Sequence, residues 1–171
     1  MLLSLQSCCY ELSNMSHVDT YGPLRVLMID DNPMDLEFVR NLLRQVPDTP
    51  ISFASVETLE SGLEQIATGN YDLVLLDLYL PDAAGVSGIF ACRRIAPRLP
   101  ILVVSASTDP KLERDTVSCG ANGFINKGDM TVERFTETLQ EVLGKAPAAG
   151  TSLANVGEKL PRQDSNLRPD G

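Results

Sequence analysis

Positive charge is scarce in this chain. Against 23 Asp and Glu it carries 14 Lys and Arg and one histidine, His17, for a formal net charge of −9. Binding a phosphate backbone wants clustered Lys and Arg, so this balance argues against a nucleic-acid surface and suits an acidic protein or one that holds a cation. Cysteine is equally sparse. Cys8, Cys9, Cys92 and Cys119 do not follow a metal-ligand spacing, and the adjacent Cys8 and Cys9 make a poor staple, so free thiols in a reducing cytoplasm are expected. No apolar run approaches the ~18 residues needed to cross a bilayer. The opening MLLSLQSCC lacks the basic start and long apolar run of a signal peptide. A GxxxxGKS/T phosphate loop is missing too, which sets aside the P-loop nucleotide enzymes. A cytoplasmic protein with no membrane segment is expected.

What is present is ordinary globular material: 171 residues, 43% hydrophobic and 22% charged, enough for one core. The order of signals predicts an unstructured leader over residues 1–23, a folded domain over 24–145 and a flexible tail over 146–171, where Ala, Gly, Pro and polar residues take over. Met15 is a second candidate start. Short apolar strands are predicted at Val26–Ile29, Ile51–Ala54, Leu73–Leu76, Ile101–Val104 and Phe124–Ile125. Between them lie helical patterns. The first opens with Asn32 as N-cap and Pro33 at the first helical position, with Asp35 favouring the first turn; Phe38, Val39, Leu42, Leu43 and Val46 form its apolar face. The others run from Val56 to Ala67, from Val86 to Ile95 (with Ile89 and Phe90 inward), from Pro110 through Leu112 and Val117 to Gly120, and from Val132 to a stop at Gly144. Five strands alternating with five helices imply right-handed crossovers and a parallel sheet covered on both faces: an α/β, doubly wound fold.

The stretch YDLVLLDLYLPDAAG, Tyr71–Gly85, anchors the functional reading. Four apolar residues end abruptly at Asp77, and Pro81 is expected to forbid further strand pairing, leaving a loop from Pro81 to Gly85. Open α/β sheets bind ligands at the carboxyl ends of their strands. Asp30 and Asp31 follow the first strand, Ser105 the fourth and Lys127 the fifth, so all can meet Asp77 at one edge. Carboxylates that close repel one another, and a hard divalent cation with oxygen ligands is the simplest remedy, Mg²⁺ being the natural candidate. A carboxylate there can attack phosphorus, while the cation and Lys127 offset charge and Ser105 donates a hydrogen bond. Plainer roles stay open: Asp77 as a turn residue, Asp31 as a helix-end acid, Ser105 as a cap, Lys127 as a surface lysine and Phe124 as a core aromatic.

With IDD at 29–31, LLDLYLP…G at 75–85, SAS at 105–107 and GANGFINK at 120–127, residues 25 to about 145 resemble the receiver domain of two-component response regulators. The resemblance implies a flavodoxin-like (βα)5 fold with strand order 2-1-3-4-5. It implies that Asp77 takes a phosphoryl group from a histidine kinase or phosphotransfer protein. It further implies that Asp30, Asp31, Asp77 and the Tyr79 backbone carbonyl hold Mg²⁺, that Ser105 and Lys127 contact the phosphoryl group, and that Phe124 is a switch aromatic. The fourth helix, fifth strand and fifth helix would form the signalling face, with phosphorylation favouring dimers, and the chain would be a switch rather than an enzyme. Two departures stand out. Gly128 replaces the proline of many receivers, so a looser loop is expected there, and Tyr79 is large at a position that governs water access.

Two rivals use related chemistry. A haloacid-dehalogenase-like phosphatase would want a second acid at the position of Tyr79, and a flavodoxin-type electron carrier would want a Ser/Thr/Gly-rich loop where Asp30–Pro33 stand. In the tail, KLPRQ at 159–163 is similar to the opening of the helix-turn-helix domain of the nitrate and quorum regulators, but DSNLRPDG abandons that pattern. A truncated DNA-binding transcription regulator and a stand-alone receiver both fit those five residues. The chain as given is expected not to bind DNA.

Overall fold

The computed structural model describes residues 23–145, and the remainder of the expected leader and all of the tail, with Cys8, Cys9 and KLPRQ, lie outside the described residues. Five parallel strands form one sheet: β1 (Leu24–Ile29), β2 (Ile51–Val56), β3 (Leu73–Leu76), β6 (Ile101–Ser105) and β7 (Gly123–Asn126). Their spatial order is β2-β1-β3-β6-β7, which is the predicted 2-1-3-4-5 arrangement counted over these five. β3 is central, and all four of its residues are fully buried, as a continuous apolar run requires. Side chains alternate across the sheet. Val26, Met28, Leu73, Leu75, Leu102 and Val104 face helices α1 (Pro33–Leu43) and α5 (Val132–Lys145), which contribute Val39, Leu42, Phe135, Leu139 and Val142. Leu27, Ile29, Val74, Leu76, Ile101 and Val103 face α2 (Leu59–Thr68) and α3 (Ser87–Ile95) through Leu59, Ile66, Ile89 and Cys92. The fourth helix, α4 (Pro110–Ser118), adds Leu112 to that second face. At Gly62 the backbone of α2 comes so close to β1 that a Cβ would stand 2.3 Å from Ile29 Cδ1.

Several boundaries depart from expectation. Residues 81–85 are not a plain loop: Tyr79–Leu80 (β4) and Ala83–Ala84 (β5) pair antiparallel around Pro81-Asp82. Pro81 does not prevent this pairing because it sits in the two-residue turn, where its missing N–H breaks no ladder bond. α1 ends at Leu43, and Val46 packs on the core from outside the helix. α5 runs through Gly144 rather than stopping at it. Phe38, Phe90 and Val117 are exposed, at 42%, 52% and 51%, instead of lying on the buried faces. In α4 the fully buried residue is Thr116, whose hydroxyl satisfies itself locally by donating to the Glu113 carbonyl at 2.7 Å.

The hairpin is tied to α2 by Asp82. Its two oxygens accept the Leu59 and Glu60 N–H groups at 2.9 Å each, and Thr58 Oγ1 accepts that of Ser61 at 3.2 Å. Three of the four orphan donors of the helix are thereby met. Those backbone bonds hold the Asp82 carboxyl below its ordinary 3.8. A depressed carboxyl stabilises the fold above its unfolded value, and that stabilisation disappears as pH falls through the folded value. Asp82→Ala is expected to cost about 1 kcal/mol at pH 7, with the gap to wild type in urea unfolding narrowing as pH falls below the carboxyl's ordinary 3.8 towards its lowered folded value; a gap that keeps its size as the carboxyl protonates would refute the capping account.

Candidate functional site

Chain direction brings the site together. Because every sheet strand points the same way, Asp30, Asp77, Ser105 and Lys127 all emerge at one edge. The Asp30 N–H donates to the Val56 carbonyl at 3.0 Å and the Asp77 N–H to the Ile29 carbonyl at 3.0 Å, so both acids are held by the ends of neighbouring strands. Asp30 is fully buried and Asp77 nearly so, while Asp31 is exposed at the mouth. One carboxylate oxygen from each of Asp30, Asp31 and Asp77 lies within 4.8 Å of the others.

Lys127 closes the group. Its Nζ donates to Asp30 Oδ2 and to Asp35 Oδ2 at 2.7 Å each and stands 3.7 Å from Asp77 Oδ2. The other oxygens are occupied too: Asp30 Oδ1 accepts the Asn32 N–H at 2.9 Å, and Asp77 Oδ1 accepts the Leu78 N–H at 2.8 Å. Burial raises the Asp77 carboxyl above its ordinary range, Lys127 opposes this, Asp30 adds to it, and the Leu78 and Tyr79 N–H groups pull it down again. Burial would lower the Lys127 ammonium, but its hydrogen bonds to Asp30 and Asp35 and the charges of Asp77 and Asp30 outweigh it and hold the ammonium above its usual value. Three clustered carboxylates with hard oxygen donors fit a small divalent cation, and the residue types present match such a group.

The remaining predicted residues sit around this centre. Ser105 is fully buried at the end of β6, where its Oγ accepts the Ser107 N–H at 3.2 Å. Phe124 is half-buried in β7 opposite Val103 and packs on the core face shared by Leu76 and Leu78. The Tyr79 side chain is 57% exposed on the hairpin, and its backbone follows Asp77 by two residues. The loop after Lys127 makes bonds of its own: Asn126 Oδ1 accepts the Gly128 N–H at 2.7 Å, a bond proline could not make, and Asn126 Nδ2 donates to the Ser107 carbonyl at 2.6 Å. Asp35 is the residue that sequence reasoning left out of the site. Its signal was available, since an acid at the third position of a helix beginning at the sheet edge points towards that edge.

Residues 26–140 match the response regulator receiver domain family. The chain belongs to that family. Its receiver domain is the phosphoacceptor module of two-component signal transduction. The methanol utilization control regulatory protein of Paracoccus denitrificans is 34% identical over 127 residues, covering 71% of this chain and 56% of that protein. The glycerol metabolism activator of Pseudomonas putida is 29% identical over 123 residues, covering 70% and 53%. This chain thus spans about half the length of the curated relatives it matches. Among solved structures, the receiver domain of a sensor histidine kinase from Pseudomonas aeruginosa PAO1, with a magnesium ion in its active-site cleft, superposes with a TM-score of 0.62 at 21% identity, covering 72% of this chain and 99% of that one. Among the described residues of the receiver, no helix is long and apolar enough to cross a membrane.

Proposed function

We propose that Asp77 is the phosphoacceptor of this receiver, taking a phosphoryl group from the phosphohistidine of a histidine kinase or phosphotransfer protein in the cytoplasm. The observation that carries the reading is the convergence of Asp77 with Asp30, Asp31 and Lys127 at one sheet edge. An Asp77 oxygen forms the new O–P bond as the P–N bond to the histidine breaks, and the ring nitrogen keeps the electron pair. Oδ2 is free of the Leu78 bond and faces the ammonium, which suits it to attack. Burial leaves this carboxylate poorly solvated and therefore reactive.

Asp30, Asp31, Asp77 and the Tyr79 carbonyl would hold Mg²⁺, as the magnesium in the Pseudomonas receiver suggests by analogy. The ion would supply charge neutralisation on the phosphoryl oxygens. Lys127 would add a second positive charge, and Ser105 a hydroxyl donor once it turns from Ser107. Phe124 would follow that movement inward, and the face formed by α4, β7 and α5 would read it, with dimerisation as one outcome. The receiver turns over only its own phosphoryl group; residues 24–145 are the switching unit, and any output lies with its partners or with other segments of the protein.

Incubation with Mg²⁺ and acetyl phosphate should add one phosphoryl group by intact mass. Asp77→Ala and chelator should each abolish the gain. Equal labelling of Asp77→Ala would end the assignment.

A further inference from the structure

Asp35 belongs to the first turn of α1, yet its carboxylate shares the ammonium of Lys127 with Asp30. Asp35 Oδ2 accepts from Lys127 Nζ at 2.7 Å and from Asn32 Nδ2 at 2.9 Å. Asn32 is itself fixed, because its Oδ1 accepts the Met34 N–H at 3.0 Å as the helix cap. The acid is therefore braced by the cap and is not a freely rotating surface group; its side chain is 28% exposed. From the same Nζ, Asp77 Oδ2 stands at 3.7 Å, beyond the range of a good hydrogen bond. Two acids accept hydrogen bonds from the ammonium, and the reactive one meets it only as a longer ion pair.

We propose that Asp35 is a positioning residue that holds Lys127 away from unmodified Asp77, so that a phosphoryl group on Asp77 must win the ammonium from it. This rests on the reading of Asp77 as phosphoacceptor. Asp30 serves both Lys127 and the carboxylate trio that suits a cation, whereas Asp35 lies outside that trio and reaches the site through Lys127. It is the partner Lys127 retains when Asp30 is engaged elsewhere. Asp35 thereby sets how readily Lys127 reaches Asp77, and with it the stability of the modified state.

Two measurements test this. Asp35→Asn keeps the shape and an acceptor but removes the charge. At saturating Mg²⁺ it should bind beryllium fluoride, a phosphoryl-shaped anion, about fivefold more tightly than wild type, on the scale of a part-buried charged hydrogen bond. Asp35→Glu, which restores the charge, should return to within about twofold of wild type. In chelator, urea unfolding of wild type, Asp35→Asn, Lys127→Ala and the double variant should show coupling between the two positions. Absence of coupling, or unchanged or weaker anion binding by Asp35→Asn, would overturn the inference. If wild type shows no saturable binding, or Asp77→Ala binds equally well, the phosphoacceptor reading fails instead, and the inference falls with it even where the coupling is present.

Discussion

Lys127→Ala is expected to lose about 3 kcal/mol of stability in chelator, because removing one partner of a buried ion pair leaves the other charge uncompensated. Asp30 has no exposure at all, and Lys127 is the cation within 2.7 Å of it. Asp35 loses the same partner, and Asp77 loses the charge that opposes its desolvation. The three acids would then repel one another with nothing between them. Mg²⁺ should recover part of that loss, since a divalent ion seated among the carboxylates replaces the missing charge. Phosphorylation by acetyl phosphate should also slow on the order of a hundredfold, the scale seen when one preorganised charge-stabilising group is removed. Urea unfolding in EDTA and in MgCl2 checks the first part. A loss of stability that is the same in both solutions would mean that Lys127 supports the fold by packing, not by balancing the acids.

The strands and their acidic ends were legible because the signal is local. Val26–Ile29 and Leu73–Leu76 are unbroken apolar runs, and each stops at a carboxylate that the parallel topology then brings to one edge. Features that depend on long-range pairing were harder to see. Asp35 and Lys127 lie 92 positions apart, and the sequence shows only a helix-start acid and a strand-end lysine. Phe90 and Val117 fit a helical apolar pattern yet face solvent, because the amphipathic stripe is wider on paper than the sheet it covers. Thr116 was overlooked for the opposite reason: its hydroxyl bonds within its own helix, so a polar residue occupies an apolar position. The hairpin at Tyr79–Ala84 was concealed by reading Pro81 as a breaker without asking which position of a turn it would take.

Arg93 has no counterpart in any sequence pattern, yet its removal is expected to be among the most damaging substitutions away from the site. Its guanidinium lies at the edge of the sheet opposite the acids, where the chain enters β6 and β7. Nε and NH2 donate to the Gly120 carbonyl at 2.9 and 2.7 Å, NH1 donates to the Leu99 and Pro97 carbonyls, and NH2 also donates to Asn122 Oδ1. Asn122 Oδ1 in turn accepts the Ile101 N–H at 3.0 Å, so one planar fork joins α3 to the starts of two strands. Burial lowers the Arg93 group somewhat from its usual value, the cost of placing a charge there. Arg93→Ala leaves the part-buried Leu99 carbonyl and Asn122 Oδ1 without this donor, while the exposed Gly120 and Pro97 carbonyls turn to water, and should cost about 2 kcal/mol, in line with charged hydrogen bonds left unmade. Arg93→Lys should recover less than half of this, because a single ammonium on a flexible stem cannot reach carbonyls on both sides as the fork does. Urea unfolding of the two variants at pH 7 separates the possibilities. A lysine variant within about 0.5 kcal/mol of wild type would show that charge alone, and not the geometry of the fork, holds these turns together.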